Sequence, residues 1–237
     1  MSSAKANVEH HEKFLGVYWA VFNDGSRKLA TQNLIPGRNV YGEKLIKYED
    51  REYRLWDPYR SKLAAAILNG MQNFPIKEES VILYLGVASG TTASHISDII
   101  GSAGRLYCID FAERAMRDLI NNVCNYRLNM FPVLADARRP DTYKIVGEKV
   151  DCIYCDVAQP EQAKILADNA NIYLKTLGRT VLIVKARSID VTKNPSEIFK
   201  REMSVLESRG LKKIESVPLE PYDKAHSLIL SEYTLNR

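Results

Sequence analysis

The sequence predicts a doubly wound α/β sheet preceded by a small β-rich unit, and three observations carry that expectation. From Pro58 onward, short apolar runs alternate with helical stretches, the pattern of a mostly parallel sheet with helices on both faces. One run, Val81-Ile-Leu-Tyr-Leu-Gly86, is apolar at consecutive positions, as a central strand covered on both sides must be. The first fifty-odd residues differ in texture, with β-prone pieces separated by turn residues. The units are placed at residues 1–57 and 58–237.

In the first unit, Leu15 to Phe22 reads as a strand, Asn23-Asp24-Gly25 as a turn, and Lys28 to Thr31 as the return of a hairpin. Leu34-Ile-Pro-Gly-Arg38 is a further turn, and β-prone pieces with Tyr41, Leu45, Ile46 and Tyr48 continue to Trp56. The polar stretch Met1 to Lys13 reads as a mobile terminus. The second unit opens with a helix from Ser61 to about Gly70, and after the Val81 strand comes a helix from Thr91 to Ile100. Strands follow at Arg105 to Ile109, Phe131 to Ala135, Val150 to Cys155 and Thr180 to Val184, with helices at Ala112 to Asn125, Pro160 to Leu174 and Ser196 to Ser208. The last two strands, Lys212 to Val217 and Ser227 to Tyr233, have no helix between them and suggest an antiparallel hairpin at one edge. By analogy this is the Rossmann-like, seven-stranded, mostly parallel sheet of the class I methyltransferase fold.

Composition bounds the function. The 237 residues are 46% hydrophobic, enough for one large core. Lys and Arg total 33 against 29 acidic residues, and a net charge of +4 argues weakly for a nucleic-acid partner, so the distribution of charge must decide. Met1 to Lys13 lacks the apolar stretch of a signal peptide, and no run reaches the roughly 18 apolar residues of a membrane helix, so a cytoplasmic protein without membrane contact is expected. The four cysteines lie in or beside apolar segments and read as reduced. Cys152 and Cys155 form a C-x-x-C, but on a strand those positions face opposite sides and cannot chelate together. No metal site is expected.

The residues directly after each strand matter most, because open α/β sheets bind ligands beyond the carboxyl ends of their strands. The first strand runs into Gly86-Val-Ala-Ser-Gly90-Thr-Thr92, a turn whose small residues let backbone approach a ligand, and Gly86, Ala88, Gly90, Thr91 and Thr92 become candidates. A dinucleotide fingerprint would need glycine where Ala88 and Thr91 stand, which disfavours a pyrophosphate. Such turns also serve simply to join strand to helix. The second strand ends in Asp110, placed to accept from the two hydroxyls of a ribose, followed by Phe111, suited to stack on adenine. After the third strand, Asp136 and Ala137 can meet an adenine amino group, and Asp156, Val157, Ala158 and Gln159 face the reactive part of the ligand. A helix N-cap is the bland alternative for each carboxylate. Together they fit an adenosine carrying an amino acid better than NAD.

These motifs resemble fibrillarin. Tyr84-Leu-Gly-Val-Ala-Ser-Gly-Thr-Thr-Ala-Ser-His-Ile-Ser-Asp98 is similar to that family's cofactor motif, and Leu134-Ala-Asp-Ala-Arg138, Asp156-Val-Ala-Gln-Pro-Glu-Gln162 and Leu219-Glu-Pro-Tyr-Asp-Lys-Ala-His226 follow in order and spacing. The likeness covers essentially the whole chain, and the glycine- and arginine-rich tail of eukaryotic fibrillarins is absent, which points to the archaeal type. Asp110 stands where the family commonly has Glu. The resemblance implies methyl transfer from S-adenosylmethionine to ribose 2′-oxygens of rRNA and tRNA, with a box C/D guide RNA choosing the nucleotide. It also implies docking through a Nop-domain scaffold protein beside a kink-turn-binding protein of the ribosomal type. By motif, the family's catalytic set falls on Lys62, Asp156, Lys185 and His226.

A 2′-hydroxyl is a poor nucleophile and needs an in-line approach and help with its proton. A lysine, which ordinarily holds its proton to about pH 10.4, would need about 4 kcal/mol of differential interaction to act as a base near neutrality. The preferred reading is that Lys185 and Asp156 orient the hydroxyl. His95, within the cofactor helix, reads as packing. Arg54, Arg60, Arg138, Arg139, Arg187 and Lys193 gather with Lys185 at one sheet edge as a cationic rim for RNA. A different methyl acceptor, or a vestigial fold serving as a scaffold subunit, are the competing readings; the rim and the paired lysines disfavour them.

Overall fold

The computed structural model describes residues 6–190, 192 and 194–234. Its N-terminal sheet is antiparallel, built from β1 (Ala6–His10), β2 (Val17–Phe22), β3 (Arg27–Gln32), β4 (Leu45–Tyr48) and β5 (Arg51–Leu55) in the order β1-β2-β3-β5-β4. The β2–β3 hairpin turns at Asp24, whose carboxylate accepts from the Ser26 N–H, and Gly25, which takes a φ of 82°. β1 lies in the stretch read as a mobile terminus. It pairs along its length with β2, while His10 packs on Tyr18 and His11 stacks between Phe14 and Trp19. As an edge strand it needs few apolar residues, so the polar composition that suggested mobility was a poor guide.

The second sheet has seven strands in the order β11-β12-β10-β9-β6-β7-β8. They are β6 (Val81–Leu85), β7 (Arg105–Asp110), β8 (Met130–Leu134), β9 (Val150–Cys155), β10 (Leu174–Lys185), β11 (Leu211–Pro218) and β12 (His226–Tyr233). All pairings from β8 across to β10 are parallel, and β12 is antiparallel to both β10 and β11, which forms the expected edge hairpin. Helices α1 (Lys62–Leu68), α2 (Thr91–Ile100), α3 (Glu113–Asn122), α4 (Gln162–Tyr173), α5 (Ala186–Ile189) and α6 (Pro195–Ser208) cover the two faces. Every residue of β6 is buried, and alternate positions feed opposite cores: Ile82 and Tyr84 one, Leu83 and Leu85 the other. Cys152 and Cys155 divide in the same way. β10 begins earlier than expected, through a register irregularity between Leu174 and Arg179, and the short α5 was not foreseen. Among the described residues no helix is long and apolar enough to cross a membrane, and no cluster of His, Cys, Asp or Glu is arranged to hold a metal.

The two sheets meet at a buried charge cluster on α2. Asp98 accepts four hydrogen bonds: from the Leu34 N–H and Arg127 Nη1 at Oδ1 (3.0 and 2.6 Å), and from the Thr31 hydroxyl and Arg54 Nη1 at Oδ2 (2.7 and 2.8 Å). That fills a carboxylate's acceptor capacity. Arg54 also donates to Glu43 (2.6 Å) and to the Ser94 hydroxyl (2.8 Å). Burial works against the Glu43 charge, but the guanidinium of Arg54 and the N–H groups of Tyr41 and Val40 outweigh it and hold its pKa below the usual value. The expectation that Arg54 belongs to an RNA-binding rim is therefore corrected: its side chain is fully buried between Glu43 and Asp98.

His95 sits beside this cluster, stacked on Trp56 with ring centroids 4.9 Å apart. The Thr31 hydroxyl gives its hydrogen to Asp98, so it accepts from Nδ1–H of His95 (2.7 Å), while Nε2 lies 2.8 Å from the Tyr41 hydroxyl, which also faces the Leu55 carbonyl at 3.1 Å. Burial pushes the pKa of His95 well below the ordinary 6.5, and Arg54 and Arg127 push the same way.

Asp98→Ala leaves two buried guanidinium groups without their shared anion, and we expect it to destabilise the fold by about 3–5 kcal/mol, read from the urea midpoint. Below pH 6.5 the unfolded chain takes up a proton at His95 that the folded chain refuses, so stability is intact above that pH and falls as pH drops. The stability of His95→Gln should consequently depend less on pH between about 7.5 and 5 than that of the parent, measured by denaturant unfolding at each pH.

Candidate active site

The carboxyl ends of β6 to β10 open onto a cleft of about 270 Å³. Ten of the cofactor residues expected from sequence line it: Gly86, Ala88, Asp110, Phe111, Asp136, Ala137, Asp156, Val157, Ala158 and Gln159. Gly86 is required by close approach. Its φ is 78°, and a Cβ there would lie 3.0 Å from the carbonyl oxygen of Asp156, so β6 and β9 converge only because the side chain is absent. Ala88 also has positive φ (50°), held by Asp110 Oδ2 accepting its N–H at 2.8 Å. Asp110 Oδ1 accepts from the Ala112 N–H (2.9 Å), which leaves about half of the carboxylate's capacity for a ligand.

Gly90, Thr91 and Thr92 do not line the cleft. Gly90 starts α2 with φ 91° and faces the body of the domain, where a Cβ would stand 2.5 Å from Leu119 Cδ1. Thr92 is buried and donates to the hydroxyl of Ser61, the N-cap of α1. Asp136 is not a free acceptor either. Arg138 grips it through Nε and Nη2, at 2.9 and 2.6 Å on Oδ2, and those hydrogen bonds hold its carboxyl below the usual range. Arg138 thereby lines the cleft from the inside of the expected rim.

At one end of the cleft, Asp156 stands between two lysines. Lys62 reaches from the first residue of α1 and donates to Oδ2 at 3.0 Å. Lys185, the last residue of β10, donates to the backbone oxygen of Asp156 at 2.7 Å. Its Nζ also lies 2.8 Å from Oδ1, so each carboxylate oxygen of Asp156 faces an ammonium group. His226 is the antiparallel register partner of Lys185. Its Nδ1 faces two acceptors, the Lys224 carbonyl (2.8 Å) and Asp223 Oδ1 (2.9 Å), so Nδ1 carries the hydrogen and Nε2 is the open nitrogen. Its ion-pair partner is Asp223, and no hydrogen bond or ion pair among the described residues joins it to Lys62, Asp156 or the Lys185 side chain.

Sequence reasoning missed Gln162. It is fully buried at the start of α4, and its amide ties the two strand ends together: Oε1 accepts from the Lys185 N–H and Nε2 donates to the Val157 carbonyl, both at 3.1 Å. Its only signal was its place at the end of the Asp156 to Gln162 motif. Of the expected cationic rim, Arg60, Arg139 and Arg187 are exposed. Lys193 lies outside the described residues.

A glycine turn, acidic residues after successive parallel strands and a cleft at their carboxyl ends, on a sheet closed by an antiparallel hairpin, define the class I S-adenosylmethionine-dependent methyltransferase fold. Within that class, the chain belongs to the fibrillarin family, whose profile matches residues 8–235. It is 54% identical over 226 residues to the fibrillarin-like rRNA/tRNA 2′-O-methyltransferase of Methanopyrus kandleri, covering 95% of this chain and 97% of that protein. The crystal structure of Aeropyrum pernix fibrillarin with natively bound S-adenosyl-L-methionine superposes with a TM-score of 0.90 at 50% identity, covering 96% of this chain and 99% of that one. A chain of the fibrillarin/Nop5p complex superposes with a TM-score of 0.79 at 40% identity, covering 87% and 94%.

Replacing Gln162 by leucine keeps its bulk but strands the Lys185 N–H and the Val157 carbonyl. We expect stability in chemical denaturation to fall by about 1–3 kcal/mol.

Proposed function

We propose that this chain transfers the methyl group of S-adenosylmethionine to ribose 2′-hydroxyls of rRNA and tRNA, as the catalytic subunit of a box C/D guide ribonucleoprotein. The observation that carries the proposal is Asp156, held between the ammonium groups of Lys62 (3.0 Å) and Lys185 (2.8 Å) at the edge of a nucleoside-sized cleft.

The cleft suits the cofactor on its own terms. Gly86 leaves backbone exposed where a side chain would block it, Asp110 keeps acceptor capacity for ribose hydroxyls, and Phe111, 65% exposed, offers a ring face to adenine. Asp136 and Ala137 would border the purine, with Val157, Ala158 and Gln159 toward the reactive end. When bound, S-adenosylmethionine supplies an electrophilic methyl group carried on a positively charged sulfur.

The remaining work falls to the chain's own side chains. Asp156 Oδ1 takes the hydrogen of the 2′-hydroxyl in a hydrogen bond and so points an oxygen lone pair away from itself, toward the cleft. Lys62 on Oδ2 fixes the orientation of the carboxylate. Lys185, anchored on the Asp156 carbonyl, has a further N–H to offer the same hydroxyl oxygen or a neighbouring phosphate. As the C–O bond forms and the C–S bond breaks, the hydroxyl proton passes along its hydrogen bond to Asp156 Oδ1, from which solvent or His226 Nε2 can take it up. Arg60, Arg139 and Arg187, with Lys193 and Arg138, would meet phosphates around the mouth.

The net charge of +4 predicts weak RNA affinity for the chain alone, so partners would deliver the target. A Nop-domain scaffold is supported by the similarity to the fibrillarin/Nop5p complex, and a kink-turn-binding protein of the ribosomal type would complete a cytoplasmic particle.

The test is transfer of labelled methyl from S-adenosylmethionine to a target RNA, with guide RNA and scaffold proteins added. Lys185→Ala should lower the rate by about 10²–10⁴-fold with cofactor affinity within a few-fold of the parent. Cofactor binding without any guide-dependent labelling of RNA would sink the proposal.

A further inference from the structure

Gln162 is fully buried and does not line the cofactor cleft, yet both of its hydrogen bonds go to backbone that does. Strands β9 and β10 pair in parallel as far as Cys155 and Leu182, and there the ladder stops. Asp156 and Lys185 both lie past that point, where the two chains border the cleft. On one side Lys185 is still held by β12, as the register partner of His226, and the next N–H, that of Ala186, reaches the Ala225 carbonyl at 3.2 Å. On the β9 side its own N–H meets a side chain, the Gln162 amide, where a strand would offer a carbonyl.

A primary amide copies a peptide group, with one carbonyl and N–H donors. Oε1 of Gln162 accepts from the Lys185 N–H and Nε2 donates to the Val157 carbonyl, both at 3.1 Å, so the side chain replaces a rung of the β9–β10 ladder beyond its last paired residues. Only one orientation of the amide satisfies both partners, since one offers a hydrogen and the other a lone pair. A closed circuit results. Lys185 Nζ returns to the carbonyl of Asp156 at 2.7 Å, next in the chain to Val157. Lys185 is thus tied to the Asp156–Val157 segment through its backbone and through its ammonium group. The second tie alone would leave the root of a flexible four-carbon stem free to shift.

The amide is itself held in place. α4 starts at Gln162, and its N-cap residue, Glu161, makes no side-chain cap. Glu202, buried on α6, supplies one by accepting the Ala163 N–H at 3.0 Å. Gln162 therefore projects from a helix start that a second helix fixes.

We infer that Gln162 is a positioning residue for methyl transfer, setting the placement of Lys185 against Asp156 at which the two orient the 2′-hydroxyl. The inference rests on the RNA-methylation reading and adds to it a residue that acts through Lys185. In a reaction governed by alignment, a misplacement of about 1 Å can cost roughly a hundredfold in rate.

The experiment uses the assembled complex with guide RNA and compares Gln162→Leu and Gln162→Met with the parent, each alone and combined with Lys185→Ala. Rates are referred to folded protein, measured by denaturant unfolding, so that lost stability is not counted as lost catalysis. Each single variant should lower kcat about 10- to 100-fold, with KM for target RNA within about twofold. In the Lys185→Ala background the same substitution should change kcat by less than about twofold, because the group it positions is already gone. A kcat within about twofold of the parent would make Gln162 a structural residue only and overturn the inference. An equal loss in both backgrounds would overturn it too, since Gln162 would then act independently of Lys185. Should Gln162→Leu fail to fold, Gln162→Met, unbranched and adaptable in shape, carries the same comparison. A parent complex that binds S-adenosylmethionine but labels no RNA would overturn the methyl-transfer reading and this inference with it.

Discussion

Asp98 is the carboxylate around which the two sheets are assembled. A lone buried charge would cost several kcal/mol, and two buried guanidinium groups would cost more, but Arg54 and Arg127 are balanced by Asp98, on which four donors converge, and by Glu43. The donors come from the N-terminal sheet (Thr31, Leu34, Arg54) and from beyond α3 (Arg127), while Asp98 itself is on α2. α2 begins at the glycine turn of the cofactor cleft. The same helix therefore follows the cleft's glycine turn at one end and meets the N-terminal sheet near the other, and the cluster fixes how the sheet sits against the catalytic half.

At the site itself the controlling constraint is steric. The carbonyl of Asp156 passes so close to Gly86 that β6 and β9 can adjoin only over a residue without a side chain. Their convergence brings Asp156 within reach of Lys62 from α1 and Lys185 from β10, while Gln162 pins the Lys185 backbone to the Val157 backbone from behind. Two ammonium groups then hold one carboxylate in a single orientation. Rigid support of this kind suits a reaction whose barrier is lowered mainly by aligning a weak nucleophile.

The strands and helices of the catalytic half were largely legible in the sequence, because their periodicity reports burial directly. β6, apolar at every position and buried at every position, is the plainest case. The acidic residues after successive strands were legible for a related reason: in a parallel sheet the carboxyl ends share one side, so chain order alone brings Asp110, Asp136 and Asp156 to one cleft. The edge strand β1 was not legible, since an edge pairs through backbone and asks little of its side chains.

The sequence by itself determined the sheet, the side of it that binds ligand and the residue types around the cleft, because each depends on local pattern and on chain order. Only the tertiary structure decided which polar groups are free. Arg54 and Arg60 look alike in sequence, six residues apart, yet one is sealed between Glu43 and Asp98 and the other faces solvent. Asp136 is occupied by Arg138, Asp156 is held between Lys62 and Lys185, and His226 turns to Asp223. These distinctions depend on partners that meet only after folding, and a hydrogen bond or ion pair is a property of the pair and its burial, not of either residue type.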